Sequence, residues 1–165
     1  MDYTVVIDPL PRTLEAMKEL KEAGLKTPED TAALTVCALD VYPENPQECI
    51  RMLDYLRGPR PLSEMEKQFL RDRFMDGKDY LARSYMAGSS PDNDYQPSSP
   101  CTIRMSDSHA PIAEEGYRIM DLKSSGADTA RTITLRNKPS TGEWFLWEQT
   151  LLAMIREPKS KDPWA

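Results

Sequence analysis

The sequence has few residues that bind metals or form disulfides: three cysteines, Cys37, Cys49 and Cys101, and one histidine, His109. None of them belongs to a CxxC or Cys/His cluster, and a single histidine excludes a His-rich metal site. Cys37 and Cys49 fall on apolar helical positions, which predicts buried, reduced thiols and favours a cytoplasmic location. His109 lies among turn-forming residues, so we expect it to be exposed to solvent.

Long apolar runs and clustered positive charge are also lacking. No run reaches the roughly 18 apolar residues of a membrane span, and no apolar stretch of signal length follows Met1 and Asp2. The net charge of −6 argues against nucleic acid or an anionic membrane as the main partner. The same charge is compatible with a basic protein partner.

Known catalytic and cofactor-binding motifs are missing as well. Asp92-Asn93-Asp94 begins like a calcium loop but lacks the third acidic ligand, the central glycine and the terminal glutamate. We predict an Asx-turn network there instead. No serine stands in a nucleophile-elbow pattern. We therefore expect no metal site and no cofactor.

The sequence does show a change of pattern near residue 77. Residues 1–76 carry helix start signals, 77–100 form a long polar loop region, and 101–165 contain short strands rich in aromatic and β-branched residues. A chain of 165 residues is expected to form a single domain with one core. This pattern predicts an α+β fold.

Four helix starts are visible, each with a side chain that can cap it. Thr13 precedes a predicted helix to about Ala23, and Thr27-Pro28-Glu29-Asp30 precedes a nearly all-apolar helix from Thr31 to about Tyr42. Asn45-Pro46 repeats the signal before a helix that Gly58 and Pro59 end. Ser63 to Glu66 reads as a capping box, and the helix behind it, to about Phe74, is predicted to bury Met65, Phe69 and Leu70.

Four strands with short links, at about 101–105, 116–122, 131–136 and 143–147, favour an antiparallel meander. Tyr3–Ile7 is a further strand that can join an edge, giving four to five strands beneath the helices. In the last strand Trp144 and Leu146 share one face, while Phe145 and Trp147 share the other. Either both faces are covered, or one tryptophan is exposed for binding.

The segment from Ser124 to Arg131, Ser-Ser-Gly-Ala-Asp-Thr-Ala-Arg, has two interpretations. Its glycine and small neighbours can present backbone N–H groups to a small anion, with Arg131 or Arg136 completing the site. Alternatively, it is a hairpin connection in which the Asp128 side chain contacts Arg131.

Several motifs stand out as a set: Gly58-Pro59-Arg60-Pro61-Leu62-Ser63, Phe69-Leu70-Arg71-Asp72-Arg73, Ser124-Ser125-Gly126-Ala127-Asp128, Trp144-Phe145-Leu146-Trp147-Glu148 and Asp162-Pro163-Trp164-Ala165. Together they resemble a domain-of-unknown-function family of small acidic cytosolic proteins from anaerobic Gram-positive bacteria. The resemblance spans about residue 13 to the end. It implies a single domain and no known activity.

We interpret the chain as a non-enzymatic binding or interaction module for a protein partner or a small anionic ligand. The predicted site residues are Tyr85, Tyr95, Asp128, Arg131 and Trp147. The aromatic side chains would supply rigid contact area, and Arg131 an anion anchor oriented by Asp128.

Two alternatives stay open. The first is a small hydrolase, lyase or isomerase with a cone-shaped cavity, which uses His109, Asp92, Asp94 or Asp128. The second is an antidote-like protein that neutralises a basic partner through electrostatic complementarity.

Overall fold

A computed structural model describes residues 1–108 and 114–165. Its described part contains four α-helices and one sheet of five strands, an α+β arrangement that confirms the predicted class. The helices are α1 (Leu14–Lys18), α2 (Pro28–Val41), α3 (Pro46–Arg57) and α4 (Glu64–Arg73), and the strands are β1 (Asp2–Ile7), β2 (Cys101–Asp107), β3 (Tyr117–Leu122), β4 (Arg131–Lys138) and β5 (Glu143–Gln149).

The sheet is a simple meander with strand order β1-β2-β3-β4-β5, and every neighbouring pair is antiparallel. This confirms both the predicted meander and the predicted place of the first strand at an edge. The strands β2, β4 and β5 each run two residues further than expected.

The side chains of Thr13, Thr27, Asn45 and Ser63 cap the four helices as the sequence predicts. Each accepts a hydrogen bond from a backbone N–H in the first turn. At α4 the Glu66 carboxylate also accepts from the Ser63 N–H, at 3.0 Å, which completes the capping box. These local signals explain why the four starting points were readable from the sequence.

The first helix is shorter than predicted. It ends at Lys18, and a separate 3₁₀ turn covers Lys21–Gly24. The reason is tertiary: Leu25 is buried in a left-handed conformation, and its carbonyl accepts a hydrogen bond from Trp144 N at 2.8 Å. The tertiary contact between Leu25 and β5 therefore outweighs the local helix propensity of the preceding residues.

The prediction for the inner face of α4 was wrong at two of three positions. Leu70 is buried, whereas Met65 and Phe69 are 81% and 43% exposed. The capping box stabilises the first turn of α4, and only Leu70 reaches the core. Phe69 is covered instead by Arg73, whose guanidinium carbon lies 4.9 Å from the ring centroid.

The second helix is central, as predicted. Every side chain from Thr31 to Val41 is buried, against α3 on one side and the sheet on another. Burial all round the helix explains the absence of a polar stripe in its sequence. The three cysteines are also buried and free, which confirms the predicted burial. None of the described helices has the length and apolarity needed to cross a membrane.

The connection between α4 and β2 is less polar than its sequence indicates. Its first part, Tyr80 to Met86, is buried except for the half-buried Arg83, and it includes a 3₁₀ turn at Ala82–Tyr85. Its second part is organised by Asn93, whose side-chain oxygen accepts from Ser90 N at 2.9 Å and Gln96 N at 3.1 Å. The predicted Asx network is thereby confirmed, with Asn93 at its centre.

Candidate functional site

A cavity of about 380 Å³ lies where the end of α3 meets the β4–β5 hairpin. Its lining includes four cationic side chains and no carboxylate, although the whole chain is acidic. We call it the tryptophan pocket after Trp147. Its lining residues are Arg57, Pro59, Arg60, Arg136, Asn137, Lys138, Pro139, Phe145, Leu146 and Trp147.

A bulge in β5 sets the position of Trp147. Along the β4–β5 ladder Thr134 pairs with Glu148, and the next residue, Leu135, pairs with Leu146. Trp147 is therefore the extra residue of the bulge, with no partner of its own on β4. Bulges bend a strand and re-aim side chains, and they are frequent beside functional sites.

Gly58 brings the opposite wall of the pocket into place. It ends α3 with φ of +61°, a conformation that favours glycine. A Cβ atom at this position would lie 2.6 Å from the Phe145 ring. The next two residues, Pro59 and Arg60, line the pocket.

Two arginines contact the Trp147 ring. The guanidinium carbons of Arg60 and Arg136 lie 4.0 Å and 4.8 Å from its centroid. Arg60 also donates a hydrogen bond from Nη2 to the Trp147 carbonyl. Tyr117 packs edge-on against the same ring, with centroids 5.5 Å apart, and Arg136 covers Tyr117 as well.

Of the four cationic side chains that line the pocket, only Arg57 has a carboxylate partner among the described residues. Arg57 is buried, and its Nη2 lies 2.8 Å from Glu66 Oε2. Burial lowers the pKa of Arg57, and the nearby charge of Arg60 lowers this pKa further. Among the described residues, no carboxylate lies within 4.0 Å of Arg60, Arg136 or Lys138.

Two buried nitrogen atoms in this wall lack hydrogen-bond acceptors in the described part of the chain. They are Arg60 Nε and Arg57 Nη2, although the latter has its ion-pair contact with Glu66. Buried polar atoms without partners are uncommon in folded proteins and call for an explanation.

A second cavity, of about 270 Å³, adjoins the first and shares four lining residues with it: Arg57, Arg60, Leu146 and Trp147. Its other walls come from α3, α4 and the end of β5, and include the half-exposed Phe69. The Arg60 side chain thus contributes to two neighbouring depressions.

The tryptophan pocket combines apolar surface with cationic side chains. Phe145, Leu146, Trp147 and two prolines offer apolar surface, while the arginines offer paired N–H donors for a carboxylate or phosphate. The described residues contain no group of three or more His, Cys, Asp or Glu side chains that could hold a metal ion.

Of the five predicted site residues, only Trp147 lies in this pocket. Tyr85 and Tyr95 are buried in the core, 4% and 0% exposed, and their hydroxyls donate to the carbonyls of Leu151 and Arg156. Burial raises the pKa of Tyr95 to about 12. The two tyrosines therefore stabilise the C-terminal segment and do not present the contact surface that we expected.

Asp128 and Arg131 do not form the contact predicted from the sequence. Asp128 is exposed and pairs with Arg156 Nη1 at 2.9 Å. The Arg131 guanidinium instead donates to three backbone carbonyls, those of Thr129, Ala153 and Met154. The side chain of Arg131 thus holds the segment after β5 against the start of β4.

Three backbone N–H groups of the loop from Ser124 to Arg131, those of Ser125, Gly126 and Ala127, are used within the protein. Ser125 N donates to Ser84 O at 2.8 Å, and Gly126 N donates to Ser124 Oγ at 3.0 Å. Gly126 is glycine because a Cβ there would lie 2.3 Å from the Tyr95 hydroxyl. These bonds make this part of the loop a structural connection.

The residues that the enzyme alternative would use are either exposed or lie outside the part of the chain that the structure describes. Asp92 pairs with Lys159, Asp94 accepts from Ser160, and both, like Asp128, are exposed. His109 lies outside the described residues.

Sequence reasoning missed Arg57, Arg60 and Lys138 and named Arg136 only as an alternative to Arg131. A usable signal was present in Gly58-Pro59-Arg60-Pro61, where an arginine stands between two prolines after a helix end. Pro59 and Pro61 restrict the backbone dihedral angles around Arg60, which limits the directions in which its side chain can leave the main chain.

Comparison with known proteins gives one family. No curated protein and no solved structure matches the chain. A family described as a domain of unknown function, DUF6935, matches residues 9–159, which include every residue of the tryptophan pocket. Since this match covers most of the sequence, the chain belongs to the DUF6935 family.

Proposed function

We propose that this protein is a binding module for a small anion that carries a planar apolar body, and that the tryptophan pocket is its site. The observation that carries the proposal is the pairing of Arg60 and Arg136 on the Trp147 ring without a neutralising carboxylate. Like charges held together at one ring cost free energy that an anionic ligand would recover.

The size and lining of the pocket support a ligand of moderate size. Its volume of about 380 Å³ falls at the lower end of the range of roughly 300–1,000 Å³ seen for small-molecule sites. Phe145, Trp147 and the prolines would cover the apolar body, and the guanidinium groups of Arg60 and Arg136 would pair with the anionic group. The ligand class is therefore an aromatic carboxylate or an aromatic phosphate monoester.

Intrinsic fluorescence tests the proposal directly because a tryptophan forms the site. We expect phenyl phosphate and benzoate to change the Trp147 emission in a saturable way, and inorganic phosphate and phenol to bind more weakly. Inorganic phosphate lacks the apolar body, and phenol lacks the anionic group, of the ligand class proposed for the pocket. Isothermal titration calorimetry gives the affinity independently of the optical signal.

Arg136→Gln is the informative variant, with Arg104→Gln as its matched control. Both remove one positive charge from an exposed strand arginine, but Arg104 lies on β2 and lines another cavity. We expect Arg136→Gln to weaken phenyl phosphate binding by about ten- to a hundredfold, since a hydrogen bond to a charged group contributes about 1.5–3 kcal/mol. Arg104→Gln should bind like the wild type. Equal losses in the two variants, or no saturable binding of either aromatic probe, would contradict the proposed site.

The cytoplasmic location belongs to this proposal as well. Its support is the burial of all three free cysteines, a pattern typical of proteins from reducing compartments.

A further inference from the structure

The two edges of the sheet differ. The outer edge of β5 is covered: Trp144 N donates to Leu25 O, the Trp144 carbonyl accepts from Thr31 Oγ1, and the Trp147 carbonyl accepts from Arg60. The opposite edge is β1, which pairs only with β2 within residues 1–108 and 114–165.

The register shows which groups of β1 point outward. Val6 lies opposite Thr102, and the Thr102 carbonyl accepts from Ala87 N on the far side of β2. This makes Val6–Thr102 a non-hydrogen-bonded pair, and such pairs alternate with hydrogen-bonded ones. The N–H and C=O groups of Asp2, Thr4 and Val6 therefore point away from β2, and none has a hydrogen-bond partner among the described residues.

A groove of about 700 Å³ runs along this edge, between β1 and the segment that leads into α2. Four carboxylates and a single lysine line it: Asp2, Glu22, Glu29, Asp30 and Lys21. The groove therefore attracts positive charge and disfavours a second copy of this acidic edge.

Glu22 is the second, independent observation. It is only 6% exposed and lines the groove, yet its carboxylate makes no hydrogen bond or ion pair with any described residue. The Glu22 carboxylate is therefore available to pair with a cationic side chain that enters the groove. Burial raises the pKa of the neighbouring Asp30, and the charges of Glu22 and Glu29 add to this rise, against the hydrogen bond with Thr27.

We propose that the β1 edge binds an extended basic segment of a partner protein as a sixth strand of the sheet. The segment's backbone pairs with the outward groups of Asp2, Thr4 and Val6, and a lysine or arginine side chain reaches Glu22. Main-chain hydrogen bonds give affinity in such strand addition, and alternate side chains give specificity. This surface lies on the opposite edge of the sheet from the tryptophan pocket, so neither proposal depends on the other.

The probe is a fluorescein-labelled peptide of about eight residues that alternates lysine with valine, which suits an edge strand of this length. Its binding to the full chain is measured by fluorescence polarisation at low salt, and backbone amide shifts are followed by NMR. We expect saturable binding that weakens with salt, with the largest shifts at residues 2–6. Two control peptides replace lysine by glutamate or methylate alternate backbone nitrogens, and both should fail to bind.

Two variants separate the charge from the strand pairing. Glu22→Gln should weaken binding by about tenfold, while Glu19→Gln, an exposed glutamate outside the groove, should not change it. Thr4→Pro removes one outward N–H without removing a β1–β2 hydrogen bond, since proline is tolerated where an edge N–H faces solvent. It should abolish binding while leaving the far-ultraviolet circular dichroism unchanged.

Several results would overturn the proposal. Absence of saturable binding of the lysine peptide would do so, as would equal binding of the lysine and glutamate peptides. Equal affinity of Glu22→Gln and wild type, or amide shifts centred away from β1, would also contradict it.

Discussion

Gly58 illustrates how one residue decides the shape of the tryptophan pocket. Its positive φ and the nearby Phe145 ring impose two separate demands, one on the backbone and one on the space beside it. A side chain at this position would have to push Phe145 away from α3. The wall formed by Pro59 and Arg60 would move with it.

Gly58→Ala should lower the free energy of unfolding by roughly 2–4 kcal/mol, from backbone strain and steric overlap together. Gly142→Ala is the matched control, because Gly142 has φ of +77° but nothing within 4 Å of its added Cβ. The control should lose only about 1 kcal/mol. Urea unfolding of both variants measures the difference, and equal losses would show that the Phe145 contact contributes nothing.

The Glu66 carboxylate should make stability depend on pH. Burial raises its pKa, but hydrogen bonds from Ser63 and the charges of Arg57 and Arg60 outweigh burial and lower it below the ordinary value. A carboxyl whose folded pKa is depressed stabilises the protein above its unfolded pKa, about 4.3, and loses that contribution as pH falls through the folded pKa. Glu66→Gln should thus lower the free energy of unfolding by about 1 kcal/mol at pH 7. Below the folded pKa of Glu66 it should change this free energy little.

Thermal unfolding of Glu66→Gln and wild type across that range is the measurement. Glu64→Gln serves as the control, since Glu64 is exposed and its pair with Lys67 contributes little. A gap between wild type and Glu66→Gln that stays constant down to low pH would exclude ionisation of Glu66 as its source.

At the scale of elements, the buried side chain of Thr31 makes a hydrogen bond between α2 and β5. Thr31 Oγ1 donates to the Trp144 carbonyl at 2.6 Å, next to the bond from Trp144 N to Leu25 O. These two bonds cover the edge of the sheet near the tryptophan pocket. Thr35, one turn later, donates only to the Thr31 carbonyl within the same helix.

Thr31→Val should cost roughly 1–3 kcal/mol because it leaves the Trp144 carbonyl without its donor in a buried place. Thr35→Val changes the same atoms on the same buried helix but leaves no carbonyl unpaired, so it should cost clearly less. Denaturant unfolding compares the two. Equal costs would mean that the bond to β5 adds nothing beyond side-chain packing.

Elements whose signals are local were predictable, and contacts between distant elements were not. The caps at Thr27, Asn45 and Ser63 fixed three helices because a cap bonds to N–H groups three residues away. The exposed Met65 was missed because helical spacing alone does not reveal which helix lies at the periphery.

The candidate site was predicted only through Trp147, for the same reason. Its bulge depends on the register between β4 and β5, which no local pattern in either strand indicates. The guanidinium of Arg131 looked available from the sequence, but carbonyls after β5 occupy it. Arg60 meets Trp147 only because α3 ends beside β5.

At the scale of the molecule, the prediction of a single domain can be tested through cooperativity. The core joins buried residues of α2 and α3 to those of the sheet, and α2 is buried on all sides. A helical half without the sheet would expose most of α2 to water. We therefore expect a fragment of residues 1–76 to be unfolded.

In the full chain, circular dichroism at 222 nm should report mainly the helices, and fluorescence should report Trp144 and Trp147 in the sheet. Both signals should change at the same urea concentration. Trp164 is 93% exposed, so its emission should change little on unfolding. The control variant Trp164→Phe should therefore show the same fluorescence midpoint as the wild type. Two separate midpoints would show that the helices and the sheet unfold independently.

The tryptophan pocket takes Arg57 and Arg60 from the helical half of the chain and Arg136 and Lys138 from the sheet. An anion bound as proposed would therefore contact both halves of the chain and stabilise their association. A ligand present at a hundred times its Kd adds about 2.7 kcal/mol to stability by mass action. Proteases attack the opened form of a protein, whose population would fall about a hundredfold. Inside a cell, the lifetime of this protein would thus follow the concentration of the metabolite that it binds.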